Sequence, residues 1–345
     1  MGSEKSGAWY IAYFPHSLVF GMFSVLIPLY FVDTLKGSLL DLGLMTFAST
    51  LLGILASIYF DKLPDKFGRT KPFILASFLS TGALLLFLSD AKSVFTFQML
   101  YVLVTIADSL HPTSTNVLIA ETYHKKSWGA AFARYNFVAG VAQAVGLVVC
   151  SLFIANVGYR NMIFISSPLV LLSFALALLL LRDPPIYVEK WLSKLESPID
   201  EVNSLTFQLD ARTPKIRERP KMIFAGLGFM AFSFSATCCF TSLPVYLTQN
   251  ASISSSMVFA IFFVRSIAGT MSYIPVGKWI SGRGKTAVRI ASMLRIALAL
   301  LLPTIAMVPM FYSPFLAVII LSLFSFSWSL FFCWKKYGYY GVRFK

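Results

Sequence analysis

Charge is scarce in this 345-residue chain: Asp, Glu, Lys and Arg together make up 13% of it, about half of the ~25% share usual in a soluble domain. Acidic residues are the scarcer sign, 15 against 29 basic ones, giving a formal net charge of +14. Such a basic balance could serve nucleic acid, but the positive residues do not gather into one patch, and no nucleic-acid partner is expected. There are four cysteines, Cys150, Cys238, Cys239 and Cys333, all within or at the end of apolar segments. Their spacing is neither that of metal ligands nor that of a loop disulfide framework, so no metal site and no cofactor are expected from them. His-Glu-x-x-His, Gly-x-Ser-x-Gly and paired carboxylates within one apolar segment are all missing, which argues against an enzyme.

What is abundant is apolar surface: 57% of the residues are hydrophobic, in runs of about 20 that recur everywhere except between Arg182 and Lys221. Runs of that length cross a hydrocarbon layer about 30 Å thick as helices. Ten spans are predicted, near 8–32, 40–60, 72–90, 94–120, 130–156, 160–181, 222–248, 253–276, 287–308 and 313–333. The fold class is therefore an all-α polytopic membrane protein. With the amino terminus in the cytoplasm, only Lys36, Lys92 and Arg160 of the interspan basic residues fall outside. The rest lie inside, an asymmetry that sets orientation by the positive-inside rule. The first apolar segment has little preceding positive charge and no small-residue cleavage pattern, so it is expected to remain as the first helix. The expectation is a multi-pass protein of the cell membrane whose main non-protein contact is the bilayer. Residues 182–221, with prolines, mixed charge and the amphipathic fragment IYVEKWLSKL, read as a cytoplasmic linker.

The chain also repeats itself. Displaced by 216 residues, Pro28 to Thr70 falls without a gap on Pro244 to Thr286. Pro28 meets Pro244, Tyr30 meets Tyr246, Ser38 meets Ser254, Phe47 meets Phe263, Gly53 meets Gly269, Gly68 meets Gly284 and Thr70 meets Thr286. Duplicated helical units are the plan of many secondary transporters, with the solute site near mid-bilayer between them.

Within the repeat, DKLPDKFGRTK at residues 61–71 joins the second and third spans. It resembles the signature Gly-x-Leu-x-Asp-Arg-x-Gly-Arg-Arg of the major facilitator superfamily, with Leu63, Asp65, Lys66, Gly68 and Arg69 matching by type and Asp61 replacing the opening glycine. The second copy, GKWISGRGKT, keeps Gly277, Gly284 and Lys285 but has Ser281 at the acidic position. PTSTNVLIAE, ending at Glu121, and Gly158 to Arg160 add weaker likeness. The resemblance implies two helical bundles, 1–181 with six helices and an incomplete 222–345 with about four. It also implies alternating access for a small solute, commonly with protons, and action as a monomer. It implies further a gating latch in which Asp65 faces the amino end of an eleventh helix and Arg69 pairs with Glu121. The same offset would end a complete second half near residue 397, so the expectation is a chain truncated after the tenth helix, whose transport could be impaired or lost. An arginine in the fourth span and a Gly-Pro pair in the fifth, features of the proton-coupled drug antiporters, are both missing.

Ionisable groups at bilayer depth cost about 2.5–3.5 kcal/mol even on a lenient scale and so tend to mark pathways. Asp108, mid-way along the fourth span, is the first candidate for a proton or substrate-amine site, since desolvation favours a protonated carboxyl. His111, three residues on and on the same helical face, could tune it or titrate itself; equally, the pair could simply tie helices together. Arg265 near the centre of the eighth span has no acid in its own span, which leaves an anionic ligand or a water-filled cavity to accommodate it. Arg295 and His16 lie nearer the cytoplasmic ends of their spans, where snorkelling or helix packing is expected. Ser233, Ser235, Thr237, Thr241 and Ser242 in the seventh span could line a cavity or pack helices.

Overall fold

The computed structural model describes residues 7–123, 128–183, 237, 240–279, 284–307 and 313–339. Within these the chain is helical, with no strand. A 3-10 turn, Gly7–Tyr13, leads into α1 (Phe14–Leu29) and a π turn, Tyr30–Thr34. Then come α2 (Leu39–Phe60), the short α3 (Lys62–Phe67), α4 (Lys71–Asp90), α5 (Val94–Asp108), α6 (Leu110–Thr122), α7 (Trp128–Val157) and α8 (Tyr159–Leu180). Past the linker region stand α9 (240–249), α10 (Ser255–Trp279), α11 (Gly284–Leu301), α12 (Thr304–Met307) and α13 (Ser313–Tyr339).

Seven of the described stretches are long and apolar enough to cross a bilayer, and they reproduce the first six predicted spans and the eighth to within a few residues. The tenth appears as the shorter apolar helix Ser313–Ser327 within α13. The ninth is helical over α11 but breaks near Pro303, where a prolyl nitrogen cannot continue the ladder. Of the seventh, only the last part is described; most of it, with Ser233 and Ser235 and most of the expected linker, lies outside the described residues.

The sequence repeat is present in the backbone. Among the described residues, Lys36 and Ser252, 216 residues apart, are the non-glycine residues with left-handed φ, at 58° and 54°. L-residues seldom adopt that conformation, so its recurrence at matched positions marks one turn built twice. The hydrogen bonds agree. Leu35 N donates to Tyr30 O at 3.1 Å and Ala251 N to Tyr246 O at 3.2 Å, while Gly37 N to Phe31 O and Ile253 N to Leu247 O are both 3.0 Å. Ser38 Oγ then caps α2 by accepting from Asp41 N at 3.1 Å, as Ser254 Oγ accepts from Met257 N at 3.4 Å. In both copies the serine satisfies an amide that a starting helix leaves without a partner.

Helix packing depends on close approach at small residues. A Cβ at Gly21 of α1 would collide with the backbone of Gln143 of α7, and one at Gly146 would collide with Leu18 O, so the two backbones touch through two glycines. Alpha-4 packs on α8, where Ser167 Oγ donates to Gly82 O at 2.7 Å. The two parts of the chain meet along α7 and α10, where Ser151 Oγ donates to Ser256 O at 2.9 Å and Tyr159 OH lies 2.6 Å from Ser255 Oγ. On the outside, Leu40, Phe87, Leu152, Leu179 and Leu300 are exposed, a surface suited to lipid rather than water.

The loop at 61–71 is held from an unexpected quarter. Gly68 closes α3 in a left-handed conformation, φ 65°, donating its amide to Pro64 O at 2.8 Å. Asp183, just beyond α8, accepts from Thr70 N, Thr70 Oγ1 and Lys71 N at 2.9, 3.0 and 2.8 Å. A carboxylate there satisfies orphan amides and faces the positive end of α4. Asp183→Ala is expected to destabilise the protein by about 1–2 kcal/mol, read as a lower unfolding midpoint in detergent. An unchanged midpoint would remove this cap from the account.

Candidate functional site

The centre of the first half is a break in the fourth span. Pro112 has no amide to donate to the carbonyl four residues back, which is that of Asp108, and the helix is interrupted at Ser109 between α5 and α6. The freed carbonyl is taken up by His111, whose Nδ1 lies 2.9 Å from Asp108 O, with Ser77 Oγ of α4 donating to Ala107 O at 2.8 Å. Because a carbonyl only accepts, His111 carries its proton on Nδ1. That same nitrogen is 3.3 Å from Asp108 Oδ1.

His16 completes the cluster. Its Nε2 lies 2.7 Å from Asp108 Oδ1, its ring is 4.5 Å from that of His111, and the residue is only 4% exposed. Of the two accounts expected for His16, snorkelling is set aside and packing between helices is what the structure shows: the side chain turns into the bundle onto the carboxylate. Its amide donates to Ser173 Oγ of α8 at 2.8 Å, which fixes the register of α1 against the break. No spacing rule reaches a partner 92 residues away; the signal available in sequence was that a lone intramembrane carboxylate needs more than one neighbour.

Two imidazoles and a carboxylate with ligand atoms within 4.8 Å of one another are also a donor set for a divalent cation. A separation of 2.7 Å between Nε2 and Oδ1 is, however, that of a hydrogen bond, shorter than two ligands about 2.0–2.2 Å from one tetrahedral ion adopt. As arranged, the cluster is held together by hydrogen bonds.

Above it, by position along the spans, lies a cavity of about 290 Å³ between the two parts of the chain. Phe23 and Ile27 of α1, Leu42 and Met45 of α2, Tyr101 of α5 and Phe240 of α9 are among its walls, with Thr237 and Thr241 supplying hydroxyls. Phe20 joins the two features: its ring stacks on His16 at 4.6 Å and lies 6.0 Å from Phe23. Below the cluster, Trp9, Tyr13, Phe78 and Tyr135 form an aromatic layer, Tyr13 meeting Tyr135 edge-on at 5.3 Å and Thr115 Oγ1 at 2.8 Å. Arg265 of α10 places its guanidinium 3.7 Å over the ring of Phe240.

The expected latch residues lie at helix ends and in the loop between α3 and α4. Arg69 is exposed, and among the described residues no ion pair joins it to Glu121. The same loop is anchored by the Asp183 cap, through the amides of Thr70 and Lys71 and the Thr70 hydroxyl, while Arg69 is exposed. Asp65 lies in α3, Gly277 in α10, and Gly284 and Lys285 open α11; the side chains of Asp65 and Lys285 lie outside the described residues.

The fold is that of solved solute carriers. A bacterial homologue of the human lysosomal transporter Spinster, in an inward-facing and unoccupied conformation, matches with a TM-score of 0.67 and 15% identity over 96% of this chain and 76% of that one. The nucleoside transporter NupG matches at 0.68 and 14%, covering 94% and 79%. The xylose transporter XylE from E. coli matches at 0.67 and 14%, covering 95% and 83%. Among curated proteins no relative matches the chain. The class is a polytopic helical membrane protein with a transporter fold. The chain belongs to the Major Facilitator Superfamily, whose pattern spans residues 9–334, and is a membrane transporter rather than an enzyme.

Proposed function

We propose that this protein carries a small organic solute across the cell membrane by alternating access, coupled to protons through His16, Asp108 and His111. Two bundles, 1–181 and 222–345, rock about the interface of α7 and α10 with 182–221 as their cytoplasmic linker and the amino terminus inside, and the protein acts as a monomer. The observation that carries the reading is the half-buried carboxylate held between two imidazoles at a helix break, one stacked ring away from an interbundle cavity. A titratable group placed at depth is costly unless its charge is used or balanced. A proton taken up here changes the balance of the cluster and hence its attraction across α1, α5 and α6. Asp65, Gly68, Arg69, Glu121, Gly277, Gly284 and Lys285 form the cytoplasmic rim at which one access path closes. Purified protein in vesicles, offered a library of neutral and charged solutes under an imposed inward proton gradient, should accumulate at least one of them and lose that accumulation when the gradient is collapsed. Accumulation indifferent to the proton gradient would overturn the coupling; a divalent-cation gradient driving it instead would reassign the cluster to a metal.

A further inference from the structure

The second half of the chain carries Arg265 and Arg295 within its helices and no acidic residue. All 15 acidic residues occur at or before Glu218, so Arg265 has no acidic side chain in its own half. Arg265 sits ten residues into α10, about 15 Å from its outer end at 1.5 Å per residue, too deep for a lipid headgroup. Its Nε is enclosed and makes no hydrogen bond among the described residues. Its immediate company is aromatic: Phe240 at 3.7 Å and Phe262 at 5.3 Å from the guanidinium carbon. Arg295 is 4% exposed, lies over Phe324 at 5.3 Å, and acts on Arg265 as a second like charge. Of the acids in the first half, Asp108 is engaged by two histidines, Asp90 by Arg160 and Asp183 by α4.

Ring faces offset part of the cost of a partly buried guanidinium, but they are poor substitutes for an oxyanion, which Arg binds through a planar fork of donors. Phe240 is the link to the pathway, since it both covers Arg265 and lines the cavity. Turned aside, it would open the guanidinium to whatever occupies that space. The other walls are mixed: Phe23, Ile27, Leu42 and Met45 offer apolar surface, and Ser24, Thr46, Tyr101, Thr237 and Thr241 bring hydroxyls. At about 290 Å³ the cavity is near the lower end of the ~300–1,000 Å³ range of small-molecule sites. A compact solute with an apolar body and one anionic group satisfies both surfaces.

We propose that Arg265 is the anion-recognition residue of the transport path, with Phe240 as its cover, and that the solute is a small amphipathic anion such as a carboxylate or sulfonate. The inference deepens the proton-coupled reading, because a monoanion entering with one proton carries no net charge across the membrane. It also stands on binding alone, which separates its failure from that of transport. Calorimetric titration of the full chain in detergent with benzoate, benzenesulfonate and phenyl phosphate, each against its neutral counterpart benzamide, benzenesulfonamide or phenol, tests it. At least one anion should bind at least tenfold more tightly than its neutral partner, and Arg265→Gln should erase that preference. Arg265→Lys should restore part of it, and serves as the check should the Gln variant fold poorly. Phe240→Ala should tighten or preserve anion binding if the ring is a cover. Equal affinity for charged and neutral partners, no binding of any anion, or an anion preference intact in Arg265→Gln would each overturn the assignment. Proton-driven uptake of a neutral solute that ignores Arg265→Gln would sink this inference and leave the transport reading standing.

Discussion

Asp108→Asn is expected to reduce proton-driven solute accumulation at least tenfold while the protein still reaches the membrane. The amide keeps the size of the carboxyl but neither gains nor loses a proton, so the step that would bind driving ion energy to solute movement is gone. Asn can still hydrogen-bond His16 Nε2, now 2.7 Å from Oδ1, and the backbone contact of His111 to the residue 108 carbonyl is unaffected, so packing should survive. Exchange of labelled for unlabelled solute without a gradient requires no net proton movement and should fall much less than accumulation. Measuring both in the same vesicles separates a coupling defect from a folding defect. Accumulation and exchange falling together would place Asp108 in the structure and outside the coupling.

The largest expected effect on stability is at the crossing of α1 and α7. Gly146→Leu inserts a side chain where a Cβ already overlaps Leu18 O and approaches Met22 Cγ at 3.1 Å. Backbone cannot rotate away as a side-chain tip can, so the helices must separate, taking Gly21 and Gln143 out of contact as well. A cost of about 3 kcal/mol, the upper end of overpacking penalties, should appear as a lower unfolding midpoint and poor yield of folded protein. Gly43→Leu is the control, since a Cβ at Gly43 meets nothing within 4 Å. Equal behaviour of the two variants would refute the close crossing.

Much of the fold could be read from the chain because it is written locally. Span ends follow from runs of apolar residues, and the duplication follows from residues such as Pro28, Ser38 and Gly53 meeting their counterparts at one offset. The same offset then reappears in the turn at Lys36 and Ser252 and in its hydrogen bonds. The Asp108–His111 neighbourhood was also within reach, the two lying three residues apart in one span. What escaped were contacts between distant segments. His16 approaches Asp108 from 92 residues away, and Asp183 reaches Thr70 across 113. Neither has a periodicity or a motif to betray it; each follows from how α1 and α8 lie against their neighbours. Arg69 and Glu121 show the converse, a pairing suggested by resemblance that the exposed position of Arg69 does not favour, since an ion pair in solvent contributes only about 0–1 kcal/mol.

Pro112 leaves the carbonyl of Asp108 outside the helical ladder and in the keeping of an imidazole. The break in the fourth span and the carboxylate at its middle therefore coincide in a single residue. A bend at this joint moves the acid relative to His16, and a change in the acid's charge alters the torque on the joint. Mechanical and electrical events in that helix cannot be engineered separately by substitutions at this position, whereas at Pro112 they can.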